Sequence, residues 1–191
     1  MRDKKDCIAE IMRMHECKNY RPEGRWQDGL REWCESIPQT NRDTIVQVGV
    51  FGGDATLIFC EYFNRVIDVD MWLDWKVYEA YVKKLADSGN MAKVLHIRGT
   101  SLDAAKMLQI FQKHTGHEFA NVYIDANHNA PHPENDIRAY LPLLPDHGYI
   151  GGHDYNMPGV KSAVNAEFGA PDKIFQDDSW IVFKESQHGR L

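Results

Sequence analysis

Gly49, Gly52 and Gly53 stand between a Val/Ile-rich run and a helix-like one in the stretch TIVQVGVFGGDATLIF, Thr44 to Phe59. A bare turn needs one glycine or none, so the surplus suggests that a ligand approaches the backbone closely. The spacing G-x-x-G-G is not the G-x-G-x-x-G of a nicotinamide site, and it lacks the Lys-Ser/Thr of a P-loop. Asp68 and Asp70 follow at the end of the next apolar run, about twenty residues on, where an acid can hold a ribose. A nucleoside site without a pyrophosphate cradle is the chemistry that follows. A second constellation, Asp125 and His128 in YIDANH with His153 and Asp154 in GGHDY, consists of types that exchange protons or hold partners at strand ends.

Each of these residues also has a plainer reading. The glycines could form a tight turn alone, Asp70 could be a helix N-terminal acid, and Asp68 a solvated charge at a strand end. Ser101 could simply cap the helix that begins LDAA. Asp125 could serve as a partner for backbone N–H groups. His132, in the Pro- and Asn-rich loop NHNAPHP, reads as solvated.

The elements that must position these groups alternate. Runs near positions 44, 65, 92, 121 and 148 (TIVQVGV, RVIDVD, AKVLHIRG, NVYIDA, GYIGG) are each followed by a helical pattern: 54–63, 75–86, 102–114, 134–144 and 160–168. That rhythm predicts a parallel sheet covered on both faces, with ligands beyond the carboxyl ends of its strands. KIFQ and WIVFK are separated only by DDS, too short for a helical crossover, so an antiparallel hairpin should close the sheet. The prediction is a doubly wound, seven-stranded, mostly parallel α/β sheet over 44–184. A helical extension over 1–41 precedes it in one domain of 191 residues. One helix of that extension lies within Lys4–Lys18, with Ile8, Ile11, Met12 and His15 on one face. The other lies within Arg25–Ser36, where Trp26, Leu30, Trp33, Cys34 and Ile37 share a face and Pro38 ends it. The tryptophans and His15 read as core and packing.

Composition narrows the class. A net charge of -6 with 22 basic residues spread along the chain argues against nucleic acid as a general partner. No apolar run is long enough for a membrane helix, and the charged start MRDKKDCIAE is unlike a signal peptide, so a cytoplasmic protein is expected. Cys7, Cys17, Cys34 and Cys60 show no CxxC or zinc-ribbon spacing and read as free thiols.

VQVGVFGGDAT, VIDVDMW, VLHIRGTSLDAA, VYIDANHNAPHPENDIRAYLPLLPDHGYIGGHDYN and PGVKSAVNAEFG resemble, in order and spacing, the class I S-adenosylmethionine-dependent methyltransferases. They are most similar to the small-molecule O-methyltransferase group that includes the macrocin-type and cephalosporin-hydroxylase-like proteins. The resemblance covers roughly 44–183 and implies a Rossmann-like methyltransferase fold, S-adenosylmethionine as cofactor and a hydroxyl on a small molecule as acceptor. It places the cofactor against Gly49, Val50, Phe51 and Gly53, against Asp70 on the ribose and Met71, against Thr100 and Ser101 near the adenine, and against Asp125. It implies His128 as base, with Asp125 and His153 as further catalytic residues, and Asp125, His153 and Asp154 as ligands of a divalent cation. Magnesium prefers oxygen donors while imidazole suits manganese, so either metal stays open. An imidazole with pKa near 6.5 is partly neutral at physiological pH, and the rate should fall below about pH 6 as it takes up its proton. In related folds the N-terminal helices cover the acceptor pocket or build a homo-oligomer. Two positions depart from the pattern: Gln47 stands where the family usually carries an acid, and Phe51 where many members carry glycine. An S-adenosylmethionine-binding protein without methyl transfer, or a non-methylating enzyme on the same fold, are the alternatives.

Overall fold

Helix α1 (Arg25–Ser36) opens the computed structural model, which describes residues 25–184. It forms where Leu30, Trp33, Cys34 and Ile37 return to one face, and all four are buried against the sheet. Trp33 Nε1 donates to the Trp180 carbonyl across 3.0 Å, so the buried indole is satisfied. Pro38 ends the helix, and a single 3-10 turn leads to the first strand. The expected helix within Lys4–Lys18, with His15, Cys7 and Cys17, and the side chain of Trp26 lie outside the described residues. Cys34 and Cys60 are buried free thiols.

β1 (Thr44–Val48), β2 (Arg65–Asp70), β3 (Val94–Arg98), β4 (Asn121–Ile124) and β5 (Tyr149–Gly152) run parallel. They alternate with α2 (Asp54–Tyr62), α3 (Trp75–Asp87), α4 (Ser101–Thr115) and α5 (His132–Tyr140). After β5, α6 (Pro158–Phe168) leads to β6 (Lys173–Ile174) and β7 (Trp180–Phe183), an antiparallel pair. β7 inserts beside β5, and the sheet order is β3-β2-β1-β4-β5-β7-β6.

Both faces of the sheet are covered, which is why its central strands read as unbroken apolar runs. Successive side chains point to opposite sides. Ile45, Val66, Tyr123 and Ile181 pack under Trp33, Phe59 and Phe63. Val46, Val48, Ile67, Val122 and Ile150 pack on the other side against Leu108, Ile137, Tyr140 and Val164. β3, at the edge, is only partly covered.

Helix boundaries differ from the sequence reading mainly at α5. It begins at His132, with Pro133 in the first turn, where a missing N–H costs nothing, and it ends at Tyr140. Pro142 cannot continue the α-helical ladder, and residues Leu141–Leu143 tighten into a 3-10 turn. His132 is exposed, as expected. No described helix is long and apolar enough to cross a membrane.

The chain steps from β1 outward to β3, then crosses to β4 on the other side of β1. The resulting crevice lies at the carboxyl ends of β1 and β4.

Candidate active site

The turn after β1 is shaped by its neighbours. Gly49 has φ +88, and a Cβ there would stand 2.0 Å from the Asp125 carbonyl oxygen. The tips of β1 and β4 can meet only through a residue without a side chain. Gly53 has φ +74 at the N-terminus of α2, and its Cβ would stand 2.1 Å from the Tyr81 ring. Two of the three glycines are therefore demanded by the protein itself, where the sequence suggested room for a ligand. Gly52 is the open one, with nothing nearer its Cβ position than Lys84 Nζ at 3.9 Å.

Asp70, at the end of β2, ties this turn. Its Oδ2 accepts the N–H groups of Val50 (2.8 Å) and Phe51 (2.9 Å), and its Oδ1 accepts that of Trp72 (2.7 Å). A carboxylate has about four acceptor sites, so three are used and one remains for a hydroxyl. Asp70 is not a helix N-terminal acid: α3 starts later, with Asp74 as its cap accepting from Lys76 N–H. Asp68 is not solvated either; it is wholly buried beneath the turn. Gln47 also works on the turn from below, donating from Nε2 to the Gly49 carbonyl across 3.2 Å. Phe51 and Met71 lie on the outside, more than a third exposed.

The β3 tip adjoins that of β2 through a bond from Gly99 N–H to the Asp70 carbonyl (3.0 Å). Thr100, rather than Ser101, caps α4, its Oγ1 accepting from Asp103 N–H at 3.2 Å. Ser101 instead donates to Asp136 on α5. Burial holds the Asp136 carboxyl above the usual carboxylate range. Asp136 carries no motif signal in the sequence, because its partner is 35 residues away.

The second constellation assembles at the tips of β4 and β5. His128 Nε2 lies 3.3 Å from Asp125 Oδ1 and 3.0 Å from Asp154 Oδ2. One ligand atom from each of Asp125, His128 and Asp154 falls within 4.8 Å of the others. His153 belongs to a different layer: its Nδ1 contacts the other Asp154 oxygen, Oδ1, at 3.1 Å. The sequence reading had His153 as a ligand, but it continues β5, with its N–H on the Ile124 carbonyl (3.1 Å), while the loop after β4 brings His128 back over the acids. His153 thus orients Asp154 from behind.

The acids keep both imidazoles charged to higher pH. The hydrogen bond to Asp125, reinforced by the charge of Asp154 and opposed by burial, raises the His128 pKa above its ordinary value. For His153, burial works in the opposite direction, yet the Asp154 hydrogen bond and the charges of Asp125, Asp154 and Asp177 carry it to about 9. Asp177 comes from the β6–β7 connection, which only the folded chain brings here. An acid limb governed by His128 accordingly lies above 6.5, not below about pH 6. Beside the two histidines lies a cavity of about 10 Å³ lined by Ile124, Asn127, Pro133 and Trp180, large enough for one water.

This sheet order, with a glycine turn at the point of reversal and acids at the tips of β2, β4 and β5, defines a Rossmann-like methyltransferase fold. The chain belongs to the methyltransferase-domain family, whose profile matches residues 46–155. The solved structures agree on the fold. The O-methyltransferase TomG of Streptomyces achromogenes, involved in tomaymycin synthesis and solved with SAM, is 16% identical over 95% of this chain and 89% of its own, with a TM-score of 0.64. An O-methyltransferase from Bacillus cereus in complex with SAH is 14% identical over 95% and 90% of the two chains (TM-score 0.62). A methyltransferase from Geobacter sulfurreducens is 14% identical over 97% and 92% (TM-score 0.63). No curated protein matches the chain.

Proposed function

We propose that the protein transfers a methyl group from S-adenosylmethionine to a hydroxyl of a small molecule. The observation that carries this reading is the contact between the two halves of the site: Gly49 of the turn abuts Asp125, which in turn contacts His128. A cofactor lying on the turn would put its reactive end beside the residues able to take a proton. The turn fits such a group, because Asp70 keeps one acceptor site for a ribose hydroxyl and the outer edge at Phe51 and Met71 is exposed. Val50 and Gly53 in the turn, and Thr100 and Ser101 at the start of α4, are the other positions proposed to meet the cofactor. When bound, S-adenosylmethionine supplies a methyl carbon that an oxygen lone pair can attack in line.

The rest falls to this chain's own side chains. An unactivated hydroxyl is a poor nucleophile, and His128, in the neutral form whose share its raised pKa reduces until the pH rises, takes its proton as the new C–O bond forms. Asp125 and Asp154 orient the imidazole and stabilise its charged form, and His153 holds Asp154 in place. Holding acceptor and cofactor in register supplies much of the acceleration. Asp125, His128 and Asp154 also fit a divalent cation, and their mixed oxygen and nitrogen donors suit manganese better than magnesium. Such a cation would be held by Asp125, His128 and Asp154 and would supply acidification of the acceptor hydroxyl, with His128 then a ligand in place of a base.

Incubation with methyl-labelled S-adenosylmethionine and a fractionated metabolite extract tests the reading. Label in a small-molecule ether supports it; tight cofactor binding with no transfer to any fraction would leave a binding protein.

A further inference from the structure

Beneath the glycine turn lies a row of polar groups that the proposed reaction does not use. Gln47 and Asp68 are cross-strand partners in β1 and β2, and both side chains are buried. Thr56 Oγ1, in the first turn of α2, stands 2.9 Å from Gln47 Oε1 and 3.0 Å from Asp68 Oδ2. Tyr81 of α3 donates its hydroxyl to the same Asp68 oxygen. The Tyr81 hydroxyl is also 3.2 Å from His96 Nε2, and His96 Nδ1 is 3.1 Å from the Tyr78 hydroxyl.

Counting protons orders this row. With the Tyr81 hydroxyl donating to Asp68, His96 donates from Nε2 to the Tyr81 oxygen, and with one ring proton it accepts at Nδ1 from Tyr78. That is a neutral imidazole, and burial lowers the His96 pKa in the same sense. On the other side, Thr56 has one proton and two acceptors. If Asp68 is ionised, Thr56 can serve either it or Gln47 but not both. Asp68 Oδ1 is then left charged and buried, with no hydrogen-bond partner among the described residues. If Asp68 carries a proton on Oδ2, it donates to Thr56, Thr56 donates to Gln47 Oε1, and Oδ1 is left as an uncharged carbonyl oxygen instead of a buried charge. Gln47 is thereby held with its Nε2 on the Gly49 carbonyl, where β1 meets Asp125.

We propose that Asp68 is a positioning residue for the cofactor turn, fixing Gln47 and through it Gly49 only while it carries a proton. This rests on the S-adenosylmethionine site proposed above. The groups facing Asp68 favour the protonated form. Asp70, on its own strand, opposes a second negative charge. From α2 the Cys60 thiol is pushed up to about 11, chiefly by burial, and from α3 the Tyr81 hydroxyl is raised by burial and by Asp68 itself, so both are neutral. From β3 comes the neutral His96. Burial pushes the Asp68 carboxyl up to about 7, against the hydrogen bonds from Tyr81 and Thr56. An amide at position 47 suits such a neighbour, since a carboxylate there would add a second buried charge on the same threonine.

Calorimetry with S-adenosylhomocysteine, on the whole protein at about pH 6 and about pH 8.5, tests the inference. Wild-type affinity should fall at least about tenfold between the two, while Asp68→Asn, the uncharged isostere, should change by less than about threefold. Equal slopes in the two proteins would overturn the inference and leave the cofactor site standing. Absence of binding by the wild type would instead overturn the cofactor site. A ligand-free measurement decides the positioning role in that case, or if the variant fails to fold: the ¹³C shift of the Asp68 carboxyl in the wild type. Titration near pH 7, shared by the Gly49 amide, supports the role; a carboxyl fully ionised by about pH 5 overturns it.

Discussion

Replacing Asp70 with alanine should damage both the turn and the cofactor site, and the structure sets the scale of each effect. Three N–H groups lose their acceptor: Val50, Phe51 and Trp72. Hydrogen bonds to a charged group contribute about 1.5–3 kcal/mol each. The Phe51 bond is exposed, so water replaces most of it, while those of Val50 and Trp72 are partly buried. The expected loss of folding stability is thus about 2–4 kcal/mol. A loosened turn, together with the lost acceptor site for a hydroxyl, should weaken S-adenosylhomocysteine binding about 10- to 100-fold, or about 1.4–2.8 kcal/mol. Asp70→Asn keeps one acceptor oxygen and should fall between. Urea unfolding and titration calorimetry on the same preparations read the two quantities. A variant with wild-type unfolding but weaker binding would show that the turn closes without Asp70. One with normal affinity would remove Asp70 from the site altogether.

His128→Ala should lower turnover by about 100-fold or more with S-adenosylhomocysteine affinity nearly unchanged, because the base acts on the acceptor; near-normal turnover would place the base elsewhere. Full activity after exhaustive chelation would leave Asp125, His128 and Asp154 a purely acid–base and hydrogen-bonding role. Gly53→Ala should cost about 2–4 kcal/mol in urea unfolding, since it combines a left-handed φ of +74 with a Cβ 2.1 Å from Tyr81. Gly52→Ala, with nothing nearer than 3.9 Å, should cost less than about 1 kcal/mol, and similar losses at both positions would contradict the packing described. The unfolded chain releases the Asp68 proton near 3.8, the folded one near 7, so the folded state binds more protons between those values and wild-type stability falls as pH rises across them. The fall is on the order of 4 kcal/mol and should be missing from Asp68→Asn; parallel stability curves would refute the burial argument.

The order of the elements, the parallel run of five strands and the closing hairpin were all legible in the chain, because Val/Ile runs and helical periodicity are local properties. So was the block of motifs that points to a methyltransferase, and so were Asp125, His128 and Asp154 as candidates. The partners of each charge were not legible. His128 enters the acid cluster and His153 stands behind it because one lies on a returning loop and the other continues a strand, a difference that two histidines and two aspartates do not encode by type. Asp177 reaches His153 only when β7 inserts beside β5, and Ser101 meets Asp136 only when α4 packs on α5. The clearest case is Asp68. Two positions from Asp70 on the same strand, it faces the same side of the sheet, yet only Asp68 lies far enough from the strand end for α2 and α3 to pack over it, and that packing turns an ordinary strand acid into a buried carboxyl that keeps its proton.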